Sequence, residues 1–330
     1  MKTINLGIIG LGYIGQTHLR HSLKLTNTHV SAVADLSKKA LSKAKKAGVK
    51  KTYTNYESLF KDPEIDAVII GLPTHLHLQC AKKAAEAGKH IFLEKPIARN
   101  IEEAREIVTA AQRNSVKLMM GYPLRFNQEF FPIKEKITDG TLGDIEVVHA
   151  AYISTGPFFH RAEGYAPVPV PEWWFNKELT GGGVLIDLGS HIINLLRWYF
   201  GEIKDIKSCL GYRFNMDFED RATCLTKFES GAFAVINVGW FSQTFKLEIE
   251  LLGSVSHAIV QITPSHPILA AIQILTTGRS KFYESHFKEL EYFINCLMED
   301  LSPSPSGEDG LKDLEAISLA YKNQIHLNST

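Results

Sequence analysis

The stretch that decides the fold is Ile4-Asn5-Leu6-Gly7-Ile8-Ile9-Gly10-Leu11-Gly12-Tyr13-Ile14-Gly15. Its apolar run predicts a buried strand, and the glycines that follow predict a tight turn into a helix over residues 14–25. Gly10 permits the turn, Gly12 lets a ligand approach the backbone, and Gly15 lets the helix lie close to the strand. Because the start of a helix attracts phosphate, we predict that residues 10–15 bind the pyrophosphate of a dinucleotide.

The residues that follow supply the context that a glycine motif needs. A second strand is predicted over residues 29–34 and ends in Asp35, about 20 residues past the last glycine, where a carboxylate accepts hydrogen bonds from an adenosine ribose. An unrelated glycine turn and a secretory signal are the alternatives. A signal has a continuous apolar core and a small-residue cleavage site, and residues 1–15 have neither.

Asp35 also bears on the choice of dinucleotide. A carboxylate at this position repels a 2′-phosphate, and the next residue is Leu36 rather than arginine, so the sequence favours NAD. Use of NADP stays open if Asp35 turns away and Ser37 or Lys38 takes its place.

Length, charge and cysteine content narrow the class of protein. The 330 residues are enough for two domains, and 36 basic residues balance 36 acidic ones, so no overall field attracts nucleic acid or an anionic membrane. No apolar stretch approaches the ~18 residues of a membrane span. The four cysteines form no CxxC pair, which argues against structural zinc and indicates reduced thiols in a cytoplasmic protein. We therefore expect no metal, no nucleic acid and no membrane among its partners.

Residues 1–121 alternate predicted strands and helices. Such a series predicts an α/β domain with a doubly wound parallel sheet, whose ligands lie at the carboxyl ends of the strands. Asp35, Thr74 and Lys95 each follow a predicted strand. The further strands are predicted at residues 66–71, 90–93 and 116–120, and the further helices at residues 37–47, 76–87 and 101–113.

The pattern changes in residues 122–330. Residues 246–251 alternate apolar and polar side chains, as in a strand with one buried and one solvent-exposed face. We predict an α+β domain with a large, mostly antiparallel open sheet, a helix at residues 128–138, and closing helices at residues 287–299 and 310–324. The strands are predicted at residues 145–154, 206–214, 222–229, 232–242, 245–252, 257–262 and 272–276.

Two sets of residues in the chain have the types that proton transfer requires. Asp187 and His191 are four residues apart in a predicted helix, so they share a face on which the carboxylate can orient the imidazole. A buried pair without a catalytic role, and a metal site, are the alternatives. Lys95 lies between a strand end and Pro96. Burial or nearby cations at such a position can lower the pKa of a lysine enough for it to act as a base. A simple surface lysine is its alternative.

Taken together, these residues resemble the Gfo/Idh/MocA family, which is named for glucose–fructose oxidoreductase, inositol dehydrogenase and a rhizopine-catabolism protein. The resemblance spans essentially the whole chain. It rests on residues 10–15, on Asp35, and on the segments Pro73-Thr74-His75-Leu76-His77, Glu94-Lys95-Pro96, Gly121-Tyr122-Pro123-Leu124-Arg125-Phe126-Asn127, Asp187-Leu188-Gly189-Ser190-His191 and Pro305-Ser306-Gly307-Glu308-Asp309-Gly310.

The resemblance implies a Rossmann domain, an open sheet that builds homodimers or homotetramers, and NAD(P)-dependent oxidation or reduction of a carbohydrate hydroxyl or ketone. Lys95, Asp187 and His191 are then the catalytic residues. The cofactor would contact residues 10–15, Asp35, Leu72, Pro73, Thr74, His77, Glu94, Lys95 and Arg125. The substrate would contact Lys95, Arg125, Asn127, Arg161, Trp174, Asp187 and His191.

Some of these binding residues have plainer interpretations. Arg125 and Asn127 are equally explained by a capped helix end. In residues 156–176, aromatic rings such as Trp174 can stack on a sugar face and Arg161 can hold a carboxylate or phosphate, but a rigid loop packed on the sheet explains much of the same segment.

Our main hypothesis is an NAD(P)-dependent dehydrogenase acting on a sugar, a cyclitol or a nucleotide sugar. His191 would take the hydroxyl proton, Asp187 would orient it, and Lys95 would stabilise the developing alkoxide, although Lys95 and His191 can exchange roles. Two alternatives remain: a glycoside hydrolase with tightly held NAD, and a non-catalytic sensor that binds NAD(H).

Overall fold

The computed structural model describes residues 3–158, 170–242, 245–262 and 281–325. The chain forms two compact units, one of Met1–Pro123 with His286–Lys312 and one of Leu124–Ser285 with Asp313–Thr330. The sequence places the division after residue 121, close to Pro123. It also assigns everything up to residue 330 to the second domain, whereas His286–Lys312 belongs to the first unit.

The first unit is built on a six-stranded sheet in which all neighbouring strands are parallel. The strand order is β3-β2-β1-β4-β5-β6, so the predicted doubly wound parallel sheet is confirmed. The central strands are apolar because helices cover both faces of such a sheet. The strands are β1 (Ile4–Ile9), β2 (Thr28–Ala34), β3 (Lys51–Tyr53), β4 (Ala67–Ile70), β5 (His90–Glu94) and β6 (Leu118–Gly121).

Helices connect these strands, and side-chain caps fix where two of them begin. The Ser37 hydroxyl accepts a hydrogen bond from the Ala40 N–H, and the Asn100 side chain accepts one from the Glu103 N–H, so both predicted helix starts are confirmed. β3 and α3 are too short for sequence periodicity to reveal, and the sequence analysis missed both. The helices are α1 (Tyr13–Ser22), α2 (Lys38–Lys46), α3 (Tyr56–Phe60), α4 (His77–Glu86) and α5 (Ile101–Arg113).

The segment His286–Lys312 belongs to the first unit because it packs against β5 and β6. Phe293 contacts the Phe92 ring at 5.7 Å between centroids, and the Met120 N–H donates to the Pro305 carbonyl at 2.9 Å. A Cβ on Gly307 would overlap the Leu118 side chain. Such long-range contacts leave no local pattern, which is why the sequence placed this segment in the second domain. The last two helices of the described chain are α9 (Lys281–Met298) and α10 (Gly307–Lys322).

The second unit contains a six-stranded sheet in the order β12-β11-β7-β10-β9-β8. β7 and β10 are parallel and the other neighbours are antiparallel, so the predicted mostly antiparallel sheet is confirmed. The strand predicted at residues 272–276 lies outside the described residues. The strands are β7 (Ile145–Ile153), β8 (Ile203–Gly211), β9 (Arg221–Phe228), β10 (Phe233–Gly239), β11 (Lys246–Gly253) and β12 (His257–Ile262).

The two faces of this sheet differ in exposure. Along β9, buried and exposed residues alternate strictly, as period two requires. The exposed face carries three large apolar side chains on three strands, each more than half exposed: Leu225, Phe233 and Ile259. One face therefore forms the core of the unit and the other remains open to solvent in the single chain.

The helices of the second unit include one long apolar stretch. Lys177–Phe200 is long and apolar enough to cross a membrane by composition, but 78% of its apolar window is buried inside the protein. It is interrupted by a π-helical turn at Leu185–Gly189. The elements are α6 (Phe131–Thr138), α7 (Lys177–Thr180) and α8 (Ser190–Phe200).

Because α1 packs on the turn after β1, replacing Gly15 and replacing Gly12 should affect stability differently. A Cβ on Gly15 would overlap the Gly10 carbonyl oxygen, so we expect Gly15→Ala to lower the free energy of unfolding by about 3 kcal/mol. A Cβ on Gly12 meets nothing within 4 Å, and Gly12→Ala is the matched control, expected to unfold like the wild type in urea. An equal loss in both variants would refute the contact as the cause.

Candidate active site

The turn after β1 is shaped by glycines that touch the neighbouring strand and helix. Gly10 has φ +83°, a conformation that favours glycine, and a Cβ there would lie 2.6 Å from the Gly71 carbonyl at the end of β4. Gly15 lies against the carbonyl of Gly10 itself. The sequence predicts that Gly15 lets α1 lie close to the strand, whereas the close contact is with the turn at Gly10. This contact holds α1 directly over the turn.

Gly12 and Asp35 form the part of this turn that faces outward. Gly12 has open space around its missing Cβ and precedes α1 without any side-chain cap. The Asp35 carboxylate accepts hydrogen bonds from the Leu11 N–H at 2.5 Å and the Ser37 N–H at 2.6 Å, which fixes it beside the turn. An uncapped helix start, a bare glycine and an anchored carboxylate fit the pyrophosphate and ribose of a dinucleotide.

The loops after β4 and β5 are tied together by His77. Its Nε2 lies 2.8 Å from the Leu72 carbonyl and its Nδ1 lies 2.9 Å from the Pro96 carbonyl. Burial lowers the pKa of His77 despite the opposing effect of these carbonyls. His77 thus positions the loop of Pro73 and the buried Thr74 relative to the loop of Lys95. The cofactor contact predicted for Thr74 and His77 stays a prediction.

Glu94 and Lys95 end β5 and differ in their surroundings. Glu94 is buried, and its Oε1 lies 2.6 Å from His18 Nε2 of α1. Burial by itself raises the pKa of Glu94, but the hydrogen bond from His18 and the fields of His286 and Lys95 hold it below its ordinary value. Lys95 is half-buried. The chain therefore places a lysine directly after a buried carboxylate at the carboxyl edge of the sheet.

In the second unit, Asp187 lies in the π-helical turn, and His191 lies in the first turn of α8. The sequence predicts one continuous helix here, whereas the structure has the wider turn that is common at functional sites. Both side chains are half-buried, and the His191 ring lies 5.9 Å from the Tyr152 ring.

The start of this helical segment is held by Glu219, which the sequence analysis missed. Glu219 Oε1 accepts hydrogen bonds from the Leu185 N–H at 2.9 Å and the Tyr321 hydroxyl at 2.8 Å. Burial raises the pKa of Glu219. Cβ atoms on Gly182 and Gly183 would overlap the Tyr321 hydroxyl and the Glu219 carbonyl, so these glycines are explained by packing. The anchor fixes the turn that carries Asp187.

Arg125 and Asn127 are both buried and make contacts within the second unit. Arg125 Nε donates to Asn194 Oδ1 at 2.6 Å, and its guanidinium lies 5.9 Å from the Trp198 ring centroid. Asn127 Nδ2 donates to Ser285 Oγ at 3.0 Å, and its Oδ1 accepts from the Glu129 N–H at 2.9 Å. The second contact closes a turn before α6, which begins at Phe131 without a side-chain cap, so it differs from the capped helix end that was the alternative for Asn127. The ligand contacts predicted for both residues stay predictions.

The aromatic residues of the predicted specificity segment are partly described. Trp174 is half-buried, and its ring lies 6.2 Å from Trp240 and 5.8 Å from Trp173. The three rings form a cluster in the second unit. Arg161 and the surrounding residues 159–169 lie outside the described residues, so the predicted role of Arg161 is not tested.

Sequence reasoning also missed His18, which pairs with Glu94. One signal was available: His18 follows Gly15 by three residues, so both lie on the same face of α1, and Gly15 is the residue of that face required to pack closely. Nothing local indicates that the partner of His18 is on β5.

Comparison with known proteins agrees with this geometry. A family model described as "Oxidoreductase family, NAD-binding Rossmann fold" matches residues 4–122, and one described as "GFO/IDH/MocA C-terminal domain" matches residues 131–257. Myo-inositol 2-dehydrogenase of Thermotoga maritima is 26% identical over 322 residues, which cover 93% of this chain and 92% of that protein.

Solved structures show the same fold. Levoglucosan dehydrogenase, solved with NADH and levoglucosan, has a TM-score of 0.82 at 22% identity and covers 98% of this chain and 97% of its own. The WlbA dehydrogenase of Bordetella pertussis, solved with NADH and UDP-GlcNAcA, has a TM-score of 0.83 at 23% identity and covers 98% of this chain and 95% of its own. The two family matches, which agree with the glycine turn and Asp35, show that the chain belongs to the Gfo/Idh/MocA family of oxidoreductases, with an NAD-binding Rossmann domain.

Proposed function

We propose that the protein is an NAD-dependent dehydrogenase that interconverts a secondary alcohol and a ketone on a sugar, a cyclitol or a nucleotide sugar. The observation that carries the proposal is the placement of polar residues at one edge of the parallel sheet. Asp35, Thr74 and Lys95 follow β2, β4 and β5, at the edge where the glycine turn after β1 also lies.

The substrate class is inferred from the chemistry shared by the relatives. Their names refer to an inositol and an anhydrosugar, and one was solved with a nucleotide sugar. All three molecules contain a six-membered ring that bears hydroxyl groups. The cluster of Trp173, Trp174 and Trp240 supplies flat apolar surfaces of the kind that pack on such rings.

The catalytic roles follow from where charge develops. Oxidation of an alcohol removes a hydride from carbon, which bound NAD⁺ accepts, and the hydroxyl must lose its proton. We assign that proton to His191 and the orientation of the imidazole to Asp187. The ammonium of Lys95 donates a hydrogen bond to the same oxygen and stabilises its negative charge. In the reverse direction His191 returns the proton to the oxygen.

A glycoside hydrolase that retains NAD is the second candidate function. Asp187 on the π-helical turn and Lys95 suit proton abstraction next to a transient ketone equally well. This candidate predicts NAD that copurifies with the protein and no net NADH. A sensor without catalysis predicts that Lys95 is dispensable.

The proposal is tested by mixing purified protein with NAD⁺ and a panel of inositols, aldoses, anhydrosugars and nucleotide sugars, and following NADH absorbance. We expect Lys95→Ala to lower kcat by about 10²–10³ while NAD⁺ affinity by calorimetry is retained, because the variant lacks the donor that stabilises the negative charge developing on the reacting oxygen. Lys82→Ala, a lysine on α4 paired with Glu106, is the matched control. Turnover that survives Lys95→Ala would refute the catalytic assignment.

The preference for NAD over NADP is assigned to the Asp35 carboxylate. Removing its charge in Asp35→Asn should raise the ratio of kcat/KM with NADP to that with NAD by about tenfold, or about 1.4 kcal/mol. Asp66→Asn is the control, since Asp66 also accepts a backbone N–H, from Asn5 at 2.8 Å, but precedes β4 at the opposite edge of the sheet. An unchanged ratio in Asp35→Asn would show that Asp35 does not select the cofactor.

We further propose that the protein is cytoplasmic and forms a homodimer or homotetramer through the open face of the second sheet. The exposed Leu225, Phe233 and Ile259 on that face support this, because an interface between copies of the chain would remove their apolar surface from water.

Leu225→Asp is expected to convert the oligomer to monomers by light scattering at micromolar concentrations, because the charge would be buried in the interface. Val255→Asp is the control, as Val255 is 75% exposed but lies between β11 and β12 rather than on the sheet face. A wild-type monomer would contradict the proposal.

A further inference from the structure

A cluster of titratable side chains lies inside the first unit beside Lys95. His18 of α1, Glu94 of β5 and Glu289 of α9 bring one nitrogen or oxygen each within 4.8 Å of one another, and all three residues are buried. None of the roles assigned above explains Glu289. Its two carboxyl oxygens accept no hydrogen bond from any described residue, although the side chain is fully buried.

The two carboxyl groups of the cluster are not equivalent. Glu94 receives a hydrogen bond from His18 at 2.6 Å, and this stabilises a carboxylate. Glu289 receives none, and it faces Glu94. Two buried carboxyl groups this close cannot both be ionised without a large cost, so one of them retains its proton. The group without a donor is the one that does so.

We propose that Glu289 is a positioning residue that stays a neutral carboxylic acid, and that Glu289 and His18 together hold Glu94 as the single buried carboxylate next to Lys95. The positioning part rests on the proposed function, because it assumes that Lys95 acts on the substrate. The protonation of Glu289 does not depend on it.

The electrostatic surroundings agree with this assignment. Burial, and then the field of Glu94, raise the pKa of Glu289 well above its ordinary value of 4.5. Glu94 is held in the opposite direction, as described above. The titratable and charged groups that act on the cluster come from α1, the end of β5 and α9, and they are His18, His21, Glu94, Lys95 and His286.

A divalent cation held by the same three side chains is the competing explanation. His18 Nε2 and Glu94 Oε1 are 2.6 Å apart, which is a hydrogen-bond distance with a proton between them. Two ligands of one cation lie farther apart than this, since each is about 2 Å from the ion on its own side. The observed geometry therefore favours a shared proton.

The first test is the infrared spectrum of the purified protein at neutral pH. A protonated carboxyl group has a carbonyl band that a carboxylate lacks. We expect the wild type to show this band, Glu289→Gln to lose it, and Glu291→Gln to retain it, since Glu291 is exposed on the same helix. An unchanged band in Glu289→Gln, or a wild type that binds Zn²⁺ or Mn²⁺ in a way that Glu289→Gln abolishes, would overturn the proposal.

The second test is the pH dependence of stability. The folded protein keeps a proton on Glu289 that the unfolded chain loses above pH 4.5, so stability falls as pH rises from 4.5 towards the folded pKa. The unfolding constant should rise by about tenfold per pH unit relative to Glu289→Gln. His21, whose pKa burial lowers to about 3, acts with the opposite sign at acid pH and is present in both proteins. Parallel curves would refute a protonated Glu289.

The positioning part has its own readout. Glu289→Ala should lower kcat about tenfold with little change in the KM for NAD⁺, and Glu289→Gln should restore most of this loss, because the amide keeps the shape and the lack of charge. The alkaline limb of the kcat profile should move to higher pH in Glu289→Gln. An unchanged kcat in Glu289→Ala would overturn positioning. If no substrate were turned over, the infrared and stability results would still decide the protonation, so the two proposals fail separately.

Discussion

Helix α1 can lie against the turn that follows β1 only because Gly10 and Gly15 have no side chains. The Gly15 backbone rests on the Gly10 carbonyl, and Gly10 in turn rests on the backbone at the end of β4. This places the start of α1 at the point where the strand order of the sheet reverses, which is where doubly wound sheets bind ligands. The contact between Gly15 and Gly10 therefore positions the open space at Gly12 next to the anchored Asp35.

The loops around that point are held by polar groups rather than by further apolar packing. His77 connects the carbonyls of Leu72 and Pro96, and His18 holds Glu94, so the loops after β4 and β5 are each positioned by an imidazole. In the second unit Glu219 plays the corresponding part for the turn that carries Asp187. Buried polar groups of this kind are costly unless they are paired, and they hold a single geometry when they are. The residues proposed to meet cofactor and substrate are thus supported by others that do not.

The prediction from sequence succeeded where the physical cause is local. The turn at residues 10–15, the helix starts at Ser37 and Asn100, and the alternation along β11 can each be predicted from a few neighbouring residues, and the structure has them. It failed where the cause is distant. Glu219 and Tyr321, which hold the start of the segment that carries Asp187, follow that segment by more than thirty and by more than a hundred residues, and no local pattern indicates them.

By itself, the sequence determined the class of both domains and the dinucleotide motif, because strand and helix periods and glycine turns are properties of short segments. Its motifs also resembled those of the family to which the chain belongs. Only the tertiary structure decided that His286–Lys312 belongs to the first unit, that Asp187 lies in a π-helical turn, and that His18, Glu94 and Glu289 meet. The reason is the same in each case. These features depend on which side chains are brought together from distant parts of the chain, and burial, not sequence neighbourhood, sets their charge and conformation.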